Sequence, residues 1–93
     1  MKESELEKYF IWCVESIGGK SYKFKSMTMR GVADRVVCLP NGRTWFIELK
    51  RPGGRLSALQ EIFAEDVIAL HQNYACLWNK DQINEWTAKV IST

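Results

Sequence analysis

With 93 residues, 46% hydrophobic and four of them tryptophan, the chain has material for one small domain, residues 1–93, with one modest core. No run of eighteen apolar residues is present to cross a membrane, and the charged start Met1-Lys2-Glu3-Ser4-Glu5 lacks a signal peptide's apolar centre, so the cytoplasm is the expected compartment. The net charge of +2 conceals a segregation: the stretch from Lys20 to Arg55 holds nine basic residues against two acids, Asp34 and Glu48, for a net +7, while the remainder carries −5. A basic middle segment is the footprint of a polyanion binder, or else a solvated strand-and-loop face. Cys13, Cys38 and Cys76 are odd in number and, even with His71, lack zinc-ligand spacing, which disfavours a disulfide framework, a zinc site and histidine chemistry.

The chain opens on a predicted amphipathic helix from Ser4 to about Ile17, with Leu6, Tyr9, Phe10, Cys13, Val14 and Ile17 as its apolar stripe. Glu3, Glu5 and Glu7 crowd its first turns, where negative charge suits the helix dipole, and Gly18-Gly19 ends it. Glu7 lies at the edge of the stripe, where an acid could also reach over a sheet rim. Ser21 to Lys25 alternates polar and apolar residues, predicting a half-buried strand with its lysines outward. A loop with Met27 and Met29 follows, and Gly31 permits a turn before Asp34 and the strand Val36 to Leu39.

Pro40-Asn41-Gly42 is a turn signal that folds this strand back onto the next, Thr44 to Lys50. In that hairpin Asp34 and Glu48, the two acids of the basic stretch, approach each other at the end away from the turn. Glu48 and Lys50 sit two apart and share a strand face, with Trp45, Ile47 and Leu49 on the other. The pair reads either as a surface ion pair at a strand end or as part of a metal-and-phosphate site.

Arg51-Pro52-Gly53-Gly54-Arg55 is a basic, flexible loop suited to a phosphate backbone. Ser57-Ala58-Leu59-Gln60 fits a capping box for a second helix that runs to about His71, with Leu59, Ile62, Phe63, Val67 and Leu70 as its apolar face. Gln60 either completes the cap or bonds a water or phosphate above the loop. A short strand from Asn73 or Tyr74 to Trp78 follows, expected to pair in parallel after the crossover. Asp81 is expected to cap a last helix carrying Ile83, Trp86 and Val90, with a loose tail beyond.

An acid on the first helix, then Gly31-Val32-Ala33-Asp34, then Phe46-Ile47-Glu48-Leu49-Lys50, then Ser57-Ala58-Leu59-Gln60 resembles the VRR-NUC family, the virus-type replication-repair branch of the PD-(D/E)xK nucleases. The resemblance runs from the first helix to the fourth strand. It departs from the usual Gly-Val-Pro-Asp at Ala33, which loosens the backbone before Asp34. It implies an α/β, restriction-endonuclease-like αβββαβ core with a mixed central sheet flanked by helices, plus a C-terminal helix. It further implies a Mg²⁺- or Mn²⁺-dependent endonuclease acting on branched DNA such as Holliday junctions or flaps, as a homodimer, in a phage or prophage setting and hence the host cytoplasm.

Carried over by position, the resemblance assigns Asp34, Glu48, the Leu49 carbonyl and Glu7 to the metal. Lys50 becomes the catalytic lysine and Gln60 the motif glutamine. Glu3 is a second candidate for the helix-one acid. Lys23, Lys25, Arg30, Arg35, Arg51 and Arg55 would hold the DNA phosphates. Two other readings stay open: a non-catalytic double-stranded nucleic-acid-binding domain, to which the acidic second helix with Glu61, Glu65 and Asp66 is poorly suited, and an inactive nuclease-like subunit that binds a partner.

Overall fold

Asn41 and Gly42 take left-handed backbone angles, with φ of 70° and 76°, inside a short 3-10 turn over Pro40–Gly42. This turn reverses β2 (Arg35–Leu39) into β3 (Arg43–Leu49), and the two pair antiparallel from Leu39↔Arg43 to Arg35↔Ile47. One further step in the same register sets Asp34 against Glu48. The computed structural model describes residues 2–92, apart from the side chain of Glu3. Its remaining elements are α1 (Glu3–Ser16), β1 (Lys20–Lys23), α2 (Ala58–Ala69), β4 (Asn73–Leu77) and α3 (Lys80–Ile91).

The sheet order is β1-β2-β3-β4. The first three strands are antiparallel neighbours, and β4 returns through α2 to lie parallel to β3. This is the expected mixed sheet, and strand alternation divides it into two unlike faces. On one, Val37, Leu39, Ile47, Leu49 and Leu77 pack with Leu6, Phe10 and Val14 of α1 and Ile83, Trp86 and Val90 of α3. Phe10 is wholly buried, with its ring 5.2 Å from that of Trp86. On the other face, Phe46 contacts Phe24 at 6.1 Å and Phe63 at 5.6 Å, and Phe63 meets Tyr74 at 6.5 Å between ring centroids. The second face is thus an aromatic floor under α2.

Four expectations need correction. The apolar face predicted for α2 is misplaced: Leu59, Ile62 and Leu70 are exposed at 47%, 51% and 68%. Apolar residues fall on several sides of the helix, so its composition allowed more than one stripe; the one that meets the sheet is Gln60, Phe63, Ala64 and Val67, at spacings of three, four and seven. The cap of α3 is Asn79, whose side-chain oxygen accepts from the Gln82 N–H at 2.8 Å; Asp81 falls inside the first turn. β1 begins at Lys20, and its inward residue is Ser21 rather than Tyr22, because Ser21 pairs with the buried Val37. Finally, α3 continues through Ile91 instead of loosening after Val90. Among the described residues, no helix is long and apolar enough to cross a membrane.

Candidate active site

Asp34 lies one residue before β2. Its carbonyl accepts from the Phe24 N–H at 2.8 Å, which prolongs the pairing of β1 with β2. Its carboxylate reaches the other way: Oδ2 accepts from the Leu49 N–H at 3.0 Å. A backbone donor of β3 therefore fixes the acid against the strand that carries Glu48. Leu49 itself turns into the core, at 1% exposure.

Glu48 is 2% exposed and points to the α2 side of the sheet. Burying a carboxylate is unfavourable unless donors or countercharge surround it. Here Gln60 Nε2 donates to Glu48 Oε2 at 3.4 Å, and Lys50 Nζ lies 3.7 Å from the same oxygen. The Lys50 contact is an ion pair too long for a hydrogen bond. The Lys50 N–H donates to the Leu77 carbonyl at 3.0 Å, which ties the end of β3 to β4. The capping reading of Gln60 is realised, and its side-chain amide also meets Glu48. Its N–H donates to Ser57 Oγ at 3.2 Å and its Oε1 accepts from the Ser57 N–H at 2.8 Å, completing the capping box, while the remaining amide group addresses Glu48. Facing the sheet rather than solvent is what gives it this second role.

A cavity of about 340 Å³ opens at Asp34, on the α1 side, lined by Ser4, Glu7, Lys23, Asp34 and Leu49. The expected helix-one acid Glu7 is thus brought to the same cavity as Asp34. Its Oε2, however, is engaged by Arg35 Nη1 at 3.0 Å. The side chain of Glu3, the alternative acid, lies outside the described residues. Of the six cations expected to meet DNA, Lys23, Lys25, Arg30, Arg51 and Arg55 are exposed. Arg35 is not: at 7% exposure it is buried beneath α1, so it is corrected from a DNA contact to an internal partner of Glu7. The residue after Asp34 alternates inward on β2, a periodicity outweighed in the sequence by the density of basic residues around it.

Two neighbours of Glu48 escaped the sequence reading. Cys76 is its register partner on β4, and Tyr74 is the partner of Phe46. Burial, reinforced by the charge of Glu48 and opposed by Lys50, pushes the Cys76 thiol up to about 12. Burial likewise raises the Tyr74 phenol well above its usual range, with smaller contributions from the Cys76, Glu48 and Asp34 charges. Both groups therefore stay protonated near neutral pH. A crossover helix of undefined length separates β3 from β4, so their parallel register could not be counted along the chain.

The donors at the site are hard oxygens. Among the described residues, no three His, Cys, Asp or Glu side chains gather closely enough to hold a metal ion. An acid pair with a backbone carbonyl alongside is nonetheless what a small divalent ion takes up, since Mg²⁺ retains several waters and binds through one or two carboxylates plus substrate phosphates. In donor type the carboxylates of Asp34 and Glu48, neighbours in the β2–β3 register, suit such an ion, with much of its shell left to water and substrate.

A helix, an antiparallel three-stranded sheet, a crossover helix and a parallel fourth strand, with Asp, Glu and Lys at the strand ends, define a restriction-endonuclease-like domain of the PD-(D/E)xK kind. A solved structure described as a VRR_NUC domain superposes with a TM-score of 0.85 at 25% identity, covering 89% of this chain and 90% of that one. A phage protein named "Putative nuclease p44", from Acyrthosiphon pisum secondary endosymbiont phage 1, is 45% identical over 60 residues, which is 64% of this chain and 64% of that relative's length. No family model matches the chain. The chain has the fold of a VRR-NUC domain.

Proposed function

We propose that residues 1–93 act as one metal-dependent DNA endonuclease domain, structure-selective for branched DNA such as Holliday junctions or flaps. The observation that carries the reading is the Asp34 carboxylate held by the Leu49 N–H at 3.0 Å, beside the buried Glu48 and the Lys50 ammonium. The nuclease name of the phage relative supports it. Asp34, Glu48 and the Leu49 carbonyl would hold Mg²⁺ or Mn²⁺, with Glu7 at the rim of the same cavity. When bound, the ion lowers the pKa of water and neutralises charge on the scissile phosphate. Lys50 holds the attacking water and sets positive charge against that developing on the phosphate oxygens. Gln60 restrains the Glu48 carboxylate. The exposed Lys23, Lys25, Arg30, Arg51 and Arg55 grip the DNA through its phosphates, so binding is salt-sensitive and mainly sequence-independent. The phage relative also favours work in the cytoplasm of a host cell.

The test is incubation with linear, flapped and four-way DNA in Mg²⁺, in Mn²⁺ or with a chelator. Cutting is expected only with the ion, and faster on branched substrates. Binding of all three without cutting would favour the non-catalytic readings, and cutting in the chelator would remove the metal.

A second subunit belongs to this reading, because one small domain spans two strands of a junction poorly and two-fold dimers are the commonest oligomers. The unguarded sheet edge supports it. The outer strand β1 carries Lys20 and Lys23, which discourage edge pairing, whereas β4 at the opposite edge is uncharged throughout. Light scattering is expected to give twice the chain mass, and Ala75→Lys on β4 to halve it. A monomer at all concentrations would exclude the dimer.

A further inference from the structure

Arg35 sits next to Asp34 in sequence, yet it is one of only two charged or polar residues buried among the described ones, the other being Glu48. Its guanidinium is fixed from both sides. Towards β1, Nε donates to Ser21 Oγ at 2.5 Å and Nη2 to the Ser21 carbonyl at 3.4 Å; towards α1, Nη1 donates to Glu7 Oε2 at 3.0 Å. Glu7 is otherwise open, with 38% of its side chain exposed, and it lines the cavity that Asp34 and Leu49 also line. An arginine buried at one end and holding a half-exposed acid at the other is a clamp. Docking of α1 on the sheet would explain an ion pair. It would not explain why the clamped acid is the one that faces the Asp34 cavity.

We propose that Arg35 is a positioning residue of the metal site: it keeps Glu7 directed at the cavity while withholding its charge, and so holds the cation affinity of the DNA-free domain low. The proposal rests on the metal reading above. Two consequences follow from elementary electrostatics. A buried unit charge close to a divalent cation site repels the cation in a medium of reduced dielectric, and an acid already paired offers the cation less attraction. Removing the Arg35 charge should therefore release Glu7 and tighten cation binding, although the lost geometry slows cleavage. A merely structural ion pair would leave cation affinity unchanged.

Binding of Mn²⁺ to the DNA-free protein, followed by the paramagnetic resonance signal of the free ion, reads this without any cleavage. Arg35→Gln and the apolar Arg35→Met are expected to tighten Mn²⁺ binding about tenfold. Arg35→Lys, which restores the charge, should return towards wild type. In a Glu7→Gln background the tightening should vanish. No tightening in a variant that still melts cooperatively overturns the proposal, as does tightening that persists without Glu7. Failure of both charge-free variants to fold would make Arg35 a structural anchor and overturn it equally. The parent reading fails separately: wild-type protein and Asp34→Asn would then bind Mn²⁺ alike or not at all.

Discussion

Under the proposed roles, Glu48→Gln and Lys50→Ala should each lower DNA cleavage in saturating Mg²⁺ by about a thousandfold or more, the first by removing a metal ligand and the second a charge that acts in the transition state. Glu48→Gln is close to isosteric and keeps an acceptor for Gln60 Nε2, which now sits 3.4 Å from Glu48 Oε2. Lys50 has 19% of its side chain exposed and pairs with Glu48 at 3.7 Å, so its truncation leaves a buried carboxylate with one countercharge fewer. The stability loss from Lys50→Ala is expected at about 1 kcal/mol, the scale of a part-exposed ion pair discounted for solvent screening. DNA affinity, assigned by the same proposal to the exposed cations, should change by less than about threefold in either variant. Initial rates, melting curves and filter binding on the same preparations separate the three quantities. Wild-type rates in both variants would show that the Glu48 and Lys50 roles are misassigned. Loss of rate together with loss of cooperative melting would make Glu48 a folding residue.

What the sequence made legible follows how far each feature depends on local spacing. Asp34 and Glu48 could be matched because Pro40-Asn41-Gly42 closes the hairpin tightly, and the register then counts outward residue by residue. The alternation that sent Ile47 and Leu49 to the core and Glu48 to the opposite face was equally local. Arg35 defeated the same rule only because a cluster of cations suggested a surface, while its partners Ser21 and Glu7 come from two other elements. The rotation of α2 was hidden for a different reason. A helix apolar on several sides has no unique stripe, and the choice was made by the aromatic floor of Phe24, Phe46 and Tyr74 beneath it. That rotation carries Gln60 to Glu48, so part of the candidate site was set by tertiary packing that no single segment encodes. Cys76 beside Glu48 belongs to the same category, since parallel pairing across a crossover has no turn from which to count.

Gly31→Ala is expected to cost about 3 kcal/mol, a large part of the roughly 5–15 kcal/mol that holds a small domain together. Gly31 has φ of +86°, a conformation that costs an L-residue about 1–2 kcal/mol. A Cβ there would also lie 2.5 Å from the carbonyl carbon of Leu59 and 2.6 Å from its oxygen. These are backbone atoms of the first turn of α2, so neither can swing aside, and overpacking of this kind adds about 1–3 kcal/mol. For a domain of this size the melting temperature should fall by roughly 12–25 °C. Gly53 provides the control: its φ is +82°, but an added Cβ meets nothing within 4 Å. Gly53→Ala should therefore lose only the conformational part, about 1 kcal/mol. The two variants also separate in activity. Relief of the Gly31 clash pushes the start of α2 away from the loop that leads into Asp34, and Gln60 stands one residue beyond Leu59. Its contact with Glu48 should weaken, and cleavage measured well below both melting points should fall for Gly31→Ala and not for Gly53→Ala. Equal melting temperatures in the two variants would mean that the close approach of Gly31 to Leu59 does not constrain α2, and with it the physical reason for glycine three residues before Asp34 would disappear.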